Sequence, residues 1–203
     1  MLPATLIAVD VAILPPPSVS RLAIELSAAL PTDESQGLVL GRDDYVPHIT
    51  LLQQFVSVDA MATFLDRVGD VVQRHRALSL RMTGGGTGSS TVWMSIERSP
   101  ALVDLHSSIL DAALPFDRAT GDAAAFVGTD ARDRDVQWVT GFRSCSSGPS
   151  FQPHITLGHA ARPPALAAFD FEATTVAACH LGRFCSCRRI LRTYNLVPIT
   201  SYL

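Results

Sequence analysis

The sequence predicts an α+β fold, on three observations. Strand-like apolar runs are mixed with amphipathic helical stretches, without the regular β–α–β period of a doubly wound sheet. The pentapeptide Pro-His-Ile-Thr-Leu occurs twice, at Pro47–Leu51 and Pro153–Leu157, 106 positions apart, which points to two pseudo-equivalent lobes. With 47% hydrophobic residues in 203, the chain can bury a substantial core as one ordinary domain or two small joined lobes, and a single unit over residues 1–203 is expected.

The elements follow in order. Thr5–Leu14 reads as a strand stopped by Pro15–Pro17, and Ser18 is placed to cap a helix over Val19–Leu30 with Leu22, Leu26 and Leu30 on one face. Pro31–Gly37 reads as a polar loop and Val46–Val56 as the first motif strand. Asp59 should cap a helix running to His75, its stripe being Met61, Leu65, Val68 and Val72. Leu78–Thr83 and Thr91–Glu97 predict strands joined by a flexible hairpin connection over Gly84–Ser90. Pro100–Leu114 suits a helix with proline in its first turn and Leu102, Leu105, Ile109 and Leu110 inward. Between Pro115 and Ser150 the pattern weakens into an elaborated loop, with a short helix near Ala123–Phe126 and an extended piece around Val136–Phe142. Gln152–Gly158 is the second motif strand, and Thr174–Phe184 and Arg188–Val197 are closing strands.

The duplicated motif carries the chemistry. In a strand, residues i and i+2 share a face, so His48 pairs with Thr50 and His154 with Thr156, while Ile49, Leu51, Ile155 and Leu157 can enter a core. If the two copies face one cleft, it holds two imidazoles and two hydroxyls, an inventory suited to acid–base work on a phosphate. Imidazole titrates near pH 6.5, so a neutral and a protonated histidine can coexist at neutral pH, one as base and the other as acid. Threonine hydroxyls can donate to the non-bridging phosphate oxygens.

Composition narrows the field. Net charge is −3 and all 16 basic residues are arginine, so a broad grip on duplex DNA or long RNA is not expected. The absence of lysine excludes a phosphate-loop lysine, a Schiff base and a lysyl–nucleotide intermediate. Met1–Pro17 lacks a basic start and carries Asp10, so it reads as a buried first strand rather than a signal peptide. No run approaches the roughly 20 apolar residues of a membrane span. Cys145, Cys179, Cys185 and Cys187 cluster late in a chain large enough to do without disulfides. A cytoplasmic, monomeric protein without cofactor is expected.

Two His-x-Thr motifs about a hundred residues apart, each in a hydrophobic strand, resemble the two-histidine (2H) phosphoesterase superfamily, in its 2′-5′ RNA ligase-like or RNA 2′,3′-cyclic phosphodiesterase branch. The strand-plus-helix start, the VWMSIE strand leading to the LVDLHSSIL helix, and the two closing strands extend the likeness over most of the chain. The resemblance implies a bilobal fold of two antiparallel sheets with outer helices, and a central groove lined by the pseudo-symmetric motif strands. It implies His48 and His154 as catalytic residues, Thr50 and Thr156 as phosphate-holding hydroxyls, and metal-free opening of a 2′,3′-cyclic phosphate in a nucleotide or RNA end. Many relatives carry a basic residue shortly after the second motif, where this chain has Leu157-Gly158-His159.

Other readings have less behind them. A non-catalytic nucleotide- or RNA-end-binding module on the same fold would not need two titratable groups. A histidine-triad hydrolase needs an alternating His-x-His-x-His run, which is missing. A metal held by His48, His154 and His159 would lack a carboxylate at ligand spacing within either motif. Tyr45, Trp138 and Phe142 are candidates for stacking a base. His159 is close enough to the second motif to be a candidate substrate contact, although strict alternation from His154 puts it on the opposite face. Arg132 and Arg134 alternate with aspartates, as on an ion-paired surface, and the Cys179–Cys187 group lacks standard zinc spacing.

Overall fold

The computed structural model describes residues 5–31, 37–88, 90–128 and 130–199. Two four-stranded antiparallel sheets build it. The first has the order β2-β1-β7-β8, with β1 at Leu6–Leu14, β2 at Ile49–Ser57, β7 at Thr175–Gly182 and β8 at Ser186–Asn195. The second has the order β5-β4-β3-β6, with β3 at Leu78–Thr87, β4 at Thr91–Ile96, β5 at His154–His159 and β6 at Phe169–Ala173. Each motif strand is therefore an edge strand of its own sheet. Four helices complete the α+β fold: α1 (Pro17–Ala28), α2 (Met61–Val72), α3 (Pro100–Ala113) and α4 (Asp133–Cys145).

β1 is apolar on both faces because it is an inner strand; Ala8, Val9, Val11, Ala12 and Ile13 are all buried. Helix α1 starts at Pro17 with no side-chain cap from Ser18, and its buried face is Val19, Ala23 and Ser27. Leu22 and Leu26 flank that face, partly buried against the core, so the expected leucine stripe is rotated by about one residue. On the buried face the Ser27 hydroxyl accepts the Leu40 N–H at 2.9 Å. Asp59 lies in a 3₁₀ turn and caps nothing. In α3 the expectation holds, with Ser99 accepting from the Leu102 N–H and Pro100 in the first turn. Most of the expected Pro31–Gly37 loop lies outside the described residues.

Other elements also differ from expectation. Val136–Phe142 is helical, not extended, as the middle of α4. The β-branched and aromatic residues there are overridden by Asp133 and Asp135 in the first turn, where the Asp135 carboxylate accepts the Arg132 N–H at 2.9 Å. The buried residues Asp135, Val139 and Phe142 then follow helical spacing. Gly84–Gly86 belong to β3 rather than to a loop, which leaves only a short turn before Thr91. A side chain at Gly86 would collide with the Trp93 indole, and one at Gly85 with the Pro164 carbonyl, so the glycines make room for neighbours. β6 has no counterpart among the expected strands; its Phe-Asp-Phe-Glu alternation is short and follows a proline-broken segment. Among the described residues no helix is long and apolar enough to cross a membrane.

Candidate active site

The two motifs bring His48, Thr50, His154 and Thr156 to one cleft of about 900 Å³, a size suited to a nucleotide-sized ligand. Their anchoring is the same in both halves. His48 Nδ1 lies 2.7 Å from the Val46 carbonyl and His154 Nδ1 lies 2.7 Å from the Gln152 carbonyl, each two residues back along the chain. A carbonyl only accepts, so each Nδ1 carries the proton and each Nε2 is left free for chemistry.

A second shared device is a β-bulge. In the β1–β2 pair, Ala12 faces Thr50 and Val11 faces Leu52, leaving Leu51 extra. In the β4–β5 pair, Trp93 faces Thr156 and Val92 faces Gly158, leaving Leu157 extra. An inserted residue reverses the alternation beyond it. The residue five after each histidine therefore turns into the cleft, Gln53 in one half and His159 in the other. His159 thus lies on the cleft side, against the expectation from strict alternation. Gly158, at φ 145°, supplies the backbone freedom, and a side chain there would meet the Leu38 carbonyl.

The surroundings of the two histidines differ. Beside His48 stands Asp10 of β1, wholly buried, with Oδ2 3.6 Å from His48 Nε2. That oxygen accepts from Thr50 Oγ1 at 2.8 Å and from Gln53 Nε2 at 2.7 Å. Burial pushes the Asp10 carboxyl above its ordinary value, opposed by the neighbouring His48 and by the Gln53 and Thr50 bonds. Beside His154 stands Trp93, its ring centroid 5.2 Å away. Burial holds the His154 imidazole below its usual 6.5, the Gln152 bond opposing and the charge of His48 adding to the shift.

Of the candidate base-stacking residues, Trp138 is exposed at the cleft and Phe142 is a buried part of its lining. Tyr45 is not brought to the cleft: its hydroxyl accepts from Arg188 Nη1 at 2.9 Å, and its ring lies under that guanidinium. Arg132 pairs with Asp135 but also lines the cleft, 4.2 Å over the Phe184 ring. Phe184, at φ 67°, and His159 have ring centroids 5.3 Å apart. Asp10, Trp93 and Phe184 escaped sequence reasoning, although one acid inside an otherwise apolar strand was a usable signal for Asp10. Among the described residues, the His, Cys, Asp and Glu group with ligand atoms all within 4.8 Å of one another is Asp10, His48 and Cys187, not the three histidines.

Comparison with known proteins agrees with this architecture. TT0787 of Thermus thermophilus superposes with a TM-score of 0.62 at 16% identity, covering 96% of this chain and all of its own. E. coli LigT complexed with NADP+ gives 0.60 at 19% identity, covering 94% of this chain and 98% of its own. LigT complexed with 3′-AMP gives 0.59 at 18%, covering 95% and 99%. At these identities the likeness is one of fold. No curated protein matches the sequence. The family model of the 2′-5′ RNA ligase superfamily matches residues 15–180, and the chain belongs to that superfamily.

Proposed function

We propose that the protein opens 2′,3′-cyclic phosphates of small nucleotides or RNA ends without a metal, using His48 and His154 as acid–base partners. The observation that carries this reading is the matched pair of imidazoles, each fixed by Nδ1 on a main-chain carbonyl and each with Nε2 free at the same cleft. His154, held toward its neutral form, is the base; its Nε2 takes a proton from the water that attacks phosphorus. His48, with the Asp10 carboxylate 3.6 Å from Nε2, is the acid, because an imidazolium there has a countercharge that His154 lacks. It protonates the departing ribose oxygen, and the cyclic diester becomes a monoester. Thr50 directs its proton to Asp10, so Thr156 is the stronger donor to the phosphate oxygens.

Small substrates fit best. The chain has a net charge of −3 and no lysine, while Trp93 and Trp138 offer aromatic surface in the cleft. That E. coli LigT has been crystallised with 3′-AMP and with NADP+ is consistent with nucleotide recognition by this fold. The test is turnover of a nucleoside 2′,3′-cyclic phosphate followed by phosphorus NMR. Replacing either histidine by alanine should reduce the rate by at least about 10²-fold, with the fold intact and EDTA without effect on the wild type. Tight binding with no product over hours would favour a non-catalytic nucleotide-binding module instead.

A further inference from the structure

Beneath the first histidine lies a donor cluster that the proposed reaction does not use in full. Asp10 from β1, His48 from the segment entering β2 and Cys187 from β8 place a carboxylate oxygen, an imidazole nitrogen and a sulfur within 4.8 Å of one another. The Val46 N–H donates to the Cys187 carbonyl at 2.9 Å, which ties the segment carrying His48 to β8. Asp10 and Cys187 are wholly buried, and His48, 11% exposed at its side chain, is the opening to the cleft. One atom stands out: Asp10 Oδ2 has its partners, but Oδ1 is buried with no hydrogen-bond partner. A buried carboxylate oxygen without a donor is costly, and a cation satisfies it directly.

We infer that Asp10, His48 and Cys187 form a site for a thiophilic divalent cation such as Zn²⁺, which on binding takes the His48 Nε2 lone pair and shuts the active site down. The donor set is one oxygen, one nitrogen and one sulfur, which suits zinc and not magnesium or calcium. With bonds of about 2.0–2.3 Å, neighbouring ligands of a tetrahedral zinc stand roughly 3.3–3.7 Å apart. The Asp10–His48 separation is there already at 3.6 Å through Oδ2, and the Cys187 sulfur lies within 4.8 Å of both donor atoms. On binding, the Cys187 thiol releases its proton to solvent, and thiolate and carboxylate together balance the dication. His48 keeps its Nδ1 proton on the Val46 carbonyl, the outer hydrogen bond that orients a ligating imidazole. The fourth position faces the cleft and takes water or an anionic oxygen.

The experiment is titration of the reduced, metal-free full chain with Co²⁺, followed by competition with Zn²⁺. One equivalent should bind, with the strong visible bands of four-coordination and a near-ultraviolet thiolate-to-cobalt band. Cys187→Ser should lose the thiolate band, and His48→Ala, altered at the cleft and away from the core, should weaken Zn²⁺ binding by about 100-fold. Cys145→Ser, at an exposed thiol outside the cluster, should bind as the wild type does. No stoichiometric uptake, a thiolate band surviving in Cys187→Ser, or unchanged affinity in His48→Ala would each overturn the site. Inhibition of turnover by Zn²⁺, reversed by EDTA, rests on the proposed reaction; the binding spectra do not, so the two can fail separately.

Discussion

The two halves of the cleft share a backbone and differ in what surrounds it. Both have an edge strand, an Nδ1 held by a carbonyl, a bulge one residue past the threonine, and a side chain turned inward five residues after the histidine. In the first half that side chain is Gln53, and it closes a network with Thr50 and Asp10, its Nε2 also reaching the Cys185 carbonyl at 3.0 Å. In the second half it is His159, whose Nδ1 is buried without a hydrogen-bond partner, beside Phe184 and Arg132. The first half sets a buried carboxylate beside its histidine, whereas the second sets aromatic rings and the Arg132 guanidinium around its own. In the proposed reaction, pseudo-symmetry of the backbone positions the pair and asymmetry of the neighbours separates acid from base.

The largest test of this asymmetry compares the threonines. Thr156→Val should lower kcat by about 10²–10³-fold, the scale for removing one donor to a transition-state oxygen. Thr50→Val should cost less than about tenfold in kcat, because its proton already serves Asp10. It should lower thermal stability more than Thr156→Val does, since a buried carboxylate loses a donor. Equal kinetic losses would put the two halves back on the same footing.

A smaller effect is expected in the pH–rate profile of kcat/KM, which should be bell-shaped. Its acid limb should lie below 6.5, because burial favours neutral His154. Asp10→Asn removes the carboxylate beside His48 and should lower kcat/KM while leaving the acid limb in place. Movement of both limbs together would mean that Asp10 acts on the site as a whole.

The smallest effect is on stability. His106, His154 and His180 all have folded-state values below 6.5, each chiefly through burial. The unfolded chain therefore binds more protons as pH falls through that value, so this stability is present above it and lost below it. The melting temperature should drop between pH 7 and pH 5, by roughly 2–4 °C for each kcal/mol lost. Asp10 acts in the opposite sense, its raised value favouring the folded state as pH falls. Asp10→Asn should thus show the steeper loss on acidification.

Much of this was legible in the sequence because the duplicated motif and the helical stripes are local patterns. The four motif residues, the α+β class and the start of α3 at Pro100 follow from periodicity and from side-chain chemistry that acts within a few residues. Even α4 was readable in principle, through the spacing of Asp135, Val139 and Phe142, although its β-branched and aromatic residues argued the other way. Contacts made across strands and between sheets were not readable. Gly86 makes room for Trp93, and Trp93 takes its place beside His154, through strand pairings that link positions far apart in the chain. The bulges at Leu51 and Leu157, which bring Gln53 and His159 inward, are register shifts that exist only once a partner strand is in place. Asp10, His48 and Cys187 meet because β1 lies between β2 and β7, and β7 pairs with β8. Which groups could do chemistry was set by residue identity alone, since reactivity belongs to the side chain. Which of them share a dielectric environment, a countercharge and a cleft was decided only by the tertiary structure, because those quantities depend on distances the chain acquires by folding.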